Sequence, residues 1–204
     1  MTLTLRLMSL ADVAQVASIE KQSFVVPWSP RTYAYEIGES ESSHMVVLAG
    51  PAAPPPNPSA LMRLLRAVGY TGGGAASTVL AYGGLWNLVD EAHISTIASH
   101  PAFRRRGYGE AVLAGMMRRA LVLNVDFVAL EVRVTNLGAQ TLYRKYGFEV
   151  HGVKPKYYLD NHEDAFDMRV FLNDASRRRV EQLYRDIRAR LGFVDTFTES
   201  LHNL

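Results

Sequence analysis

The chain has 204 residues, of which 48% are hydrophobic and 21% are charged, which excludes an intrinsically disordered protein and suits one domain with a substantial core. The net charge of +2 excludes a polycation, so a nucleic-acid role would need a local basic patch. The absence of cysteine excludes disulfides, thiolate zinc ligands and cysteine nucleophiles.

The first fifty residues predict two helices between two strands. Ser9 and Asp12 are spaced as in a capping box, which marks the beginning of a helix. Ser29 followed by Pro30 marks a second helix start, because proline is favoured at the first helical position. The predicted elements are a strand over 3–8, helices over 10–24 and 30–38, and a strand over 44–49.

The composition changes over 50–77. Five prolines fall within 51–58, and three successive glycines begin at Gly72. A segment so rich in proline and glycine is too long and irregular for a core element, so we interpret 50–77 as an insertion between two strands. A surface loop is the simpler interpretation, and a flap that covers a partner or substrate is the alternative.

The second half predicts a mixed sheet with helices between its strands. The predicted strands lie over 78–87, 91–99, 125–134, from Gly147 onward, and over 164–172 as the last strand of the sheet; the predicted helices lie over 107–123, 137–146 and 174–191. The fold class is therefore α/β of the α+β type, with a mostly antiparallel sheet flanked by helices. We divide the chain into one domain over 1–173 and a C-terminal helical extension over 174–204.

A basic, glycine-containing turn lies between a predicted strand and a predicted helix, at Arg104–Gly109. Glycines let the backbone approach a ligand closely, and the N–H groups of such a turn and the following helix start suit a diphosphate. The turn lacks the Gly-Lys-Ser/Thr of a Walker motif, and Val112 stands where a dinucleotide fingerprint needs a small residue. A basic turn whose glycines only allow tight packing is the alternative.

Three polar residues follow this turn in a strand and the next helix. Glu131 interrupts an apolar strand, where a charge is costly unless it is functional or paired, and Arg133 on the same face is the candidate partner. Asn136 ends the strand and suits a helix cap. Tyr143 lies on a helical stripe with Ala139, which predicts a core aromatic whose hydroxyl would also suit a proton donor.

Other conspicuous residues have simpler interpretations. Trp28 follows a proline and suits either a substrate groove or packing. The triplet Arg177–Arg179 predicts a solvated helix face rather than an RNA contact, because Glu181 and Asp186 interrupt the charge. The histidines do not have the spacing of metal ligands, so we expect no metal site: His93, His100, His151 and His162.

We expect no signal peptide, because the chain does not open with a basic segment followed by a long apolar run. No stretch approaches about 18 uninterrupted apolar residues, so we also expect no membrane span. A cytoplasmic location is the resulting expectation.

Three stretches of the chain, in this order, resemble GNAT acetyltransferases of the RimI type: HISTIASHPAFRRRGYG, LEVRVTNLGAQTLYRKYGF and YYLDNHEDAFDMR. The resemblance covers about 3–50 and 78–172. It implies a GNAT fold and transfer of an acetyl group from acetyl-CoA, without a metal, to the N-terminal alanine of a small-subunit ribosomal protein. The implied partner is thus a protein N-terminus, with nucleic acid met only through the ribosome.

The resemblance also implies a role for each matching residue. Glu131 would be the general base, and Tyr143 would protonate the departing thiolate. A backbone N–H beside the pantetheine arm would polarise the thioester. The implied coenzyme contacts are Ile97, Ala98 and Ser99 along the arm, Arg105, Arg106, Gly107, Tyr108, Gly109 and Glu110 at the diphosphate, and Asn136.

The sequence leaves three functions open. The first is a protein N-terminal acetyltransferase that acts by direct transfer, since no cysteine and no evident serine triad offer a covalent intermediate. The second is acetylation of a lysine side chain or a small amine. The third is a non-catalytic acetyl-CoA-binding module whose insertion and C-terminal helix recruit a partner.

The chain departs from the family pattern at two places. Ser99 stands where the family usually has an apolar residue, and the insertion at 50–77 separates strands that the family joins tightly.

Overall fold

A computed structural model describes residues 2–51 and 77–198. The predicted insertion over 50–77 lies almost wholly outside the described residues, as does the chain beyond position 198. Both interpretations of that insertion therefore stay predictions.

The described residues form eight strands and five helices. The strands are β1 (Leu3–Leu7), β2 (Ser43–Pro51), β3 (Ser77–Leu88), β4 (Glu91–Ser99), β5 (Phe127–Arg133), β6 (Glu149–Tyr158), β7 (Glu163–Phe171) and β8 (Phe193–Asp195). The helices are α1 (Val13–Ser23), α2 (Pro30–Gly38), α3 (Tyr108–Leu123), α4 (Leu137–Lys145) and α5 (Asp174–Leu191). The predicted helix starts are confirmed: Ser9 N donates to Asp12 Oδ2 over 2.8 Å, and Thr32 N donates to Ser29 Oγ over 3.1 Å.

All eight strands belong to one sheet, in the order β6-β7-β5-β4-β3-β2-β1-β8. The pairs β4–β5 and β1–β8 are parallel and the other neighbours are antiparallel. This confirms the predicted mixed, mostly antiparallel sheet flanked by helices. The prediction that 164–172 is the last strand was wrong, because β8 follows α5 and pairs with β1. A strand of three residues is too short to show the alternation on which the prediction depended.

The central strands are buried on both faces. Successive side chains of a strand point to opposite faces, so Val46 and Leu48 of β2 reach the larger core beneath α3, α4 and α5. Met45 and Val47 reach a smaller core beneath α1 and α2. This double burial explains why the middle of the sheet reads as an apolar run instead of an alternation.

The ladder between the parallel strands β4 and β5 is short. It joins Glu91, Ala92 and His93 to residues 127–129. Beyond this point β4 continues along β3 to Ser99, and β5 continues along β7 to Arg133. The two strands therefore diverge, and a gap opens in the middle of the sheet at their carboxyl ends.

Residues 174–198 pack on the same core as the other described residues. Val180, Tyr184 and Ile187 of α5 are buried against it. Asp195 of β8 is fully buried and accepts hydrogen bonds from the Tyr184 hydroxyl and from the backbone and hydroxyl of Thr198. The division at 173 stays a prediction, although this carboxylate ties α5, β8 and the following turn together.

We predict that Asp195→Ala lowers the free energy of unfolding by about 2–4 kcal/mol, because it leaves the buried Tyr184 hydroxyl without its acceptor. Chemical denaturation measures the change. Asp186→Ala, on the exposed face of α5, is the control and should change stability by less than about 0.5 kcal/mol. Equal effects of the two substitutions would contradict the assigned role of Asp195.

Candidate active site

A pocket of about 320 Å³ occupies the gap between β4 and β5. Its walls come from the two diverging strands, the end of α1 and the loop that follows it, α4, and the end of β6. The lining residues include Glu20, Phe24, Val26, Trp28, Ile97, Glu131, Asn136, Tyr143, Tyr157 and Tyr158. Four residues that the sequence singled out for chemistry or coenzyme contact thus meet in one place: Ile97, Glu131, Asn136 and Tyr143.

The edge of β4 that faces this gap presents backbone groups. His100 N donates to Leu80 O of β3 over 2.9 Å, which fixes the direction of the alternating backbone groups along β4. Ala98 therefore directs its N–H and C=O toward β3, while Ile97 and Ser99 direct theirs toward the gap. Of the three residues predicted along the coenzyme arm, Ile97 and Ser99 offer backbone groups there and Ala98 does not.

Glu131 lies on β5 with a hydrogen-bonding partner on each carboxylate oxygen. His93 Nε2 lies 3.0 Å from Oε2, and Lys154 Nζ lies 2.5 Å from Oε1. Burial alone would raise the pKa of the Glu131 carboxyl, but the hydrogen bonds and charges of His93 and Lys154 outweigh it and lower the pKa to about 2. The carboxylate, only 11% exposed, is therefore ionised throughout the physiological pH range.

The sequence suggested an ion pair between Glu131 and Arg133, and this interpretation was wrong. Arg133 instead binds Asp160 over 2.7 Å and Glu163 over 3.0 Å, and its guanidinium lies 3.8 Å from the centre of the Tyr158 ring. It thus fixes the turn between β6 and β7 and holds Tyr158 against the pocket. Glu131 instead binds His93 of β4 and Lys154 of β6.

Sequence reasoning missed both partners of Glu131. They lie 38 and 23 residues away along the chain, and only the sheet brings them together. His93 is also held by Glu91 over 3.0 Å, and burial, which lowers the pKa of His93, is outweighed by the hydrogen bonds to these two carboxylates, which raise it. The available signal was the spacing of Glu91 and His93, because residues two apart on a strand share one face.

A stack of rings supports His93. Its imidazole stacks on Trp86 at 5.9 Å, and Trp86 stacks on Trp28 at 6.1 Å. The indole N–H of Trp86 donates to Glu36 over 2.8 Å, which fixes the middle ring. Trp28 therefore serves both interpretations of the sequence, since it packs in this stack and also lines the pocket.

Tyr143 and Asn136 come from α4 and the residue that caps it. Asn136 Oδ1 accepts from Ala139 N over 3.1 Å, which confirms the predicted cap. Tyr143 packs against Phe148 in the larger core and also lines the pocket, so the core interpretation and the functional one are compatible. Burial, followed by the nearby Tyr158, raises the pKa of the Tyr143 hydroxyl, which therefore keeps its proton at neutral pH.

The basic turn leads from the end of β4 into α3. Gly107 has a φ of +89°, in the region where glycine is favoured, and a Cβ at Gly109 would lie 2.7 Å from Ser99 Oγ. Glycine at 109 thus lets the start of α3 lie directly against the end of β4. Glu110, in the first turn of α3, binds Lys145 Nζ at 2.5 Å and Arg190 Nη2 at 2.9 Å. The predicted diphosphate turn is therefore continuous with the open edge of β4 and is braced by α4 and α5.

Within residues 2–51 and 77–198 no three His, Asp or Glu side chains are grouped as metal ligands would be. No helix in the same ranges has the length and hydropathy needed to cross a bilayer.

Comparison with known protein families gives a match over 13–148 to the model described as the acetyltransferase (GNAT) family. A Bacillus subtilis protein provisionally named as a [ribosomal protein bS18]-alanine N-acetyltransferase is 31% identical, over 83% of this chain and 95% of its own length. The N-alpha-acetyltransferase RimI of Mycobacterium tuberculosis is 29% identical, over 85% of this chain and 95% of its own.

Solved structures agree with the sequence matches. The ribosomal-protein-S18-alanine N-acetyltransferase of Escherichia coli superimposes with a TM-score of 0.63 at 25% identity, over 84% of this chain and 95% of that one. Arabidopsis thaliana NAA60 in complex with acetyl-CoA gives a TM-score of 0.66 at 14% identity, over 84% of this chain and 99% of that one, and so shows the fold alone.

The Glu131 carboxylate should make stability depend on pH. The pKa of Glu131 is about 2 in the folded protein and about 4.3 in the unfolded chain. The ionised carboxylate therefore makes its full contribution to the free energy of unfolding above a pH of about 4.3, and that contribution is lost as the pH falls toward about 2. We predict that Glu131→Gln costs on the order of 2–3 kcal/mol at neutral pH and progressively less between pH values of about 4.5 and 2.

Chemical denaturation of both proteins across that range measures the difference. Glu39→Gln, at an exposed position after α2, is the control and should change the unfolding free energy by less than about 0.5 kcal/mol at every pH. A Glu131→Gln deficit that stays constant down to pH 2 would contradict the depressed pKa.

Proposed function

The chain belongs to the GNAT acetyltransferase family, and from this premise we propose that it transfers the acetyl group of acetyl-CoA to the α-amine at a protein N-terminus. The observation that carries the proposal is the pocket in which an ionised carboxylate, Glu131, and a protonated hydroxyl, Tyr143, lie beside the open edge of β4. A proton acceptor and a proton donor at one strand edge are what direct acyl transfer to an amine requires.

Two features of the fold suit the coenzyme. The unpaired edge of β4 offers the backbone groups of Ile97 and Ser99 to an extended, amide-containing arm such as pantetheine. The turn at Gly107 and Gly109 and the N-terminus of α3 offer N–H groups to a diphosphate, with Arg105 and Arg106 adding positive charge. Acetyl-CoA supplies the acetyl group as an activated thioester. In this proposal Asn136 lies where the arm enters the pocket.

The electrostatics of Glu131 favour an α-amine over a lysine side chain. A carboxylate with a pKa of about 2 is a weak base, so the acceptor's ammonium has to be one that loses its proton readily. At pH 7 about one tenth of α-amines are neutral, against about one in two thousand lysine side chains. Glu131 orients the amine and attracts its proton. An α-ammonium gives up that proton more readily than a lysine ammonium does, because its pKa is lower by more than about two units.

Tyr143 and the backbone of Ile97 serve the other end of the reaction. The Ile97 N–H is directed into the gap, where it donates a hydrogen bond to the carbonyl oxygen as negative charge develops there. The Tyr143 hydroxyl holds its proton because burial raises its pKa, and it donates to the departing sulfur. No covalent bond between the acetyl group and the enzyme is needed.

The rim of the pocket suits a peptide. Val26 and Tyr157 line the pocket and are exposed, so an extended chain meets the side chains of the loop after α1 and of the end of β6. The relatives named as bS18-alanine N-acetyltransferases favour the N-terminal alanine of a small-subunit ribosomal protein as the acceptor. Nucleic acid would then be met only through the ribosome, and a cytoplasmic location follows from that acceptor.

Acetylation of a lysine or a small amine is the second candidate, since the fold also resembles a spermidine/spermine N-acetyltransferase at 17% identity. A non-catalytic binding module is disfavoured because it would not need Glu131 and Tyr143 in one pocket. A mass-spectrometric screen with acetyl-CoA distinguishes these candidates. It would compare peptides with a free N-terminal alanine, N-terminally blocked peptides that contain lysine, and free polyamines.

We expect acetylation of the free N-terminal peptides at the α-amine, at a rate at least about tenfold above the lysine peptides. Transfer only to lysine side chains or polyamines would overturn the proposed acceptor. Failure of the protein to bind acetyl-CoA would overturn the proposed catalysis itself.

We further predict that Glu131→Gln and Tyr143→Phe each lower kcat by about tenfold to a thousandfold while changing acetyl-CoA affinity by less than about threefold. Steady-state kinetics and a coenzyme-binding titration measure the two effects. Tyr146→Phe is the matched control, because Tyr146 directly follows α4, one helical turn from Tyr143, and its buried side chain does not line the pocket. Unchanged turnover in both pocket variants would remove the assigned roles.

A further inference from the structure

The acceptor side of Glu131 is already occupied in the enzyme by a side-chain ammonium. Lys154 of β6 places Nζ 2.5 Å from Glu131 Oε1, and His93 holds the other carboxylate oxygen at 3.0 Å. An amine that approaches this carboxylate from the pocket therefore meets a partner already bound to each oxygen. An acceptor amine that binds Oε1 therefore competes with Lys154 for that oxygen.

Of the two partners of Glu131, Lys154 is the one that can move aside. His93 is only 17% exposed, stacks on Trp86 and is held from behind by Glu91. Lys154 is 46% exposed and has a long flexible side chain on the edge strand of the sheet. The β6–β7 ladder is irregular between Lys154 and Tyr158, so the backbone beyond Lys154 leaves the regular pairing.

The charged groups around the Lys154–Glu131 pair show what would receive the displaced ammonium. From β7, Asp167 lies directly across from Glu131 and is bound to Arg169 at 2.8 Å. From β4, Glu91 is bound to His93. From β6 itself, the ring of Tyr157 has its centre 5.6 Å from Lys154 Nζ. A lysine that leaves Glu131 thus remains next to an aromatic face and close to Asp167, which lowers the cost of the exchange.

We propose that Lys154 is a positioning residue that holds the place of the acceptor's α-ammonium on Glu131 in the free enzyme and yields that place when the acceptor binds. The inference rests on the proposed function, since it assumes that an amine is the acceptor. The two groups are chemically alike, because each presents a protonated nitrogen with several donors to the same oxygen.

The exchange couples base strength to the presence of the acceptor. While Lys154 is bound, its charge and hydrogen bond help to hold the pKa of Glu131 low, so the carboxylate stays ionised and cannot take up a proton from solvent. Once the acceptor has displaced Lys154, the ammonium nearest to Oε1 is the acceptor's own, and this is the group that must lose its proton before it can attack. As that proton moves, Glu131 no longer faces the Lys154 charge at short range, and its affinity for the proton rises.

Removal of the lysine tests the proposal. In Lys154→Met the acceptor no longer competes with an internal cation, so its KM should fall by about fivefold, the worth of one exposed ion pair. The KM for acetyl-CoA should stay unchanged. Lys156→Met, two residues along the same strand, is the matched control and should change none of these values.

An unchanged or raised acceptor KM in Lys154→Met would overturn the proposal, because Lys154 would then be neutral toward the acceptor or part of its binding site. If the wild-type protein acetylates no N-terminal peptide, the proposed function is overturned instead. The kinetic assay of the wild-type protein shows this before any variant is compared.

A second measurement needs no substitution. The chain has four lysines, so ¹³Cε-lysine labelling gives few NMR signals. With CoA present to prevent turnover, addition of an acceptor peptide should shift the Lys154 signal and leave the other three in place. A Lys154 signal that does not move on saturation with peptide would overturn the displacement.

Discussion

The separation of β4 from β5 is the constraint on which the rest of this structure depends. Two parallel strands share three residue pairs and then part, because each is held on its other side, β4 by β3 and β5 by β7. The parting leaves backbone groups in the middle of a sheet without a neighbouring strand, and such groups require other partners. It also makes room for side chains from α1, α4 and β6 to converge. The pocket is thus a consequence of sheet topology, and the residues that line it use an opening that the ladder provides.

Charge decides the chemistry that this opening can perform. Glu131 is placed between a rigid, ring-stacked His93 and a flexible Lys154, and their combined effect outweighs the burial of the carboxylate. A carboxylate held ionised in this way orients a cationic amine well but is a weak base. The arrangement therefore suits an amine that loses its proton readily, and in our proposal Lys154 is the group that such an amine displaces.

The C-terminal part of the chain, outside the matched family region, supports the same site. Arg190 of α5 reaches Glu110 at the start of α3, close to Gly107, and Asp195 anchors α5 and β8 to the core. The N-terminus of α3 is therefore braced from behind by an element that the family match over 13–148 does not include. A helix start that binds a diphosphate benefits from such support, because its N–H groups have to be fixed in direction.

Local patterns in the sequence determined the elements, the caps at Ser9 and Ser29, the glycine turn and the unusual carboxylate at 131, because each depends on residues a few positions apart. The same patterns indicated the family and the core position of Tyr143. The sequence did not reveal β8, whose three residues carry no alternation, or the true partners of Glu131. Those partners lie on other strands, and their contact depends on register across the sheet, which no local spacing encodes. Only the tertiary structure decided that Arg133 turns away to the β6–β7 turn while His93 and Lys154 share the carboxylate, because sheet order determines which distant charges become neighbours.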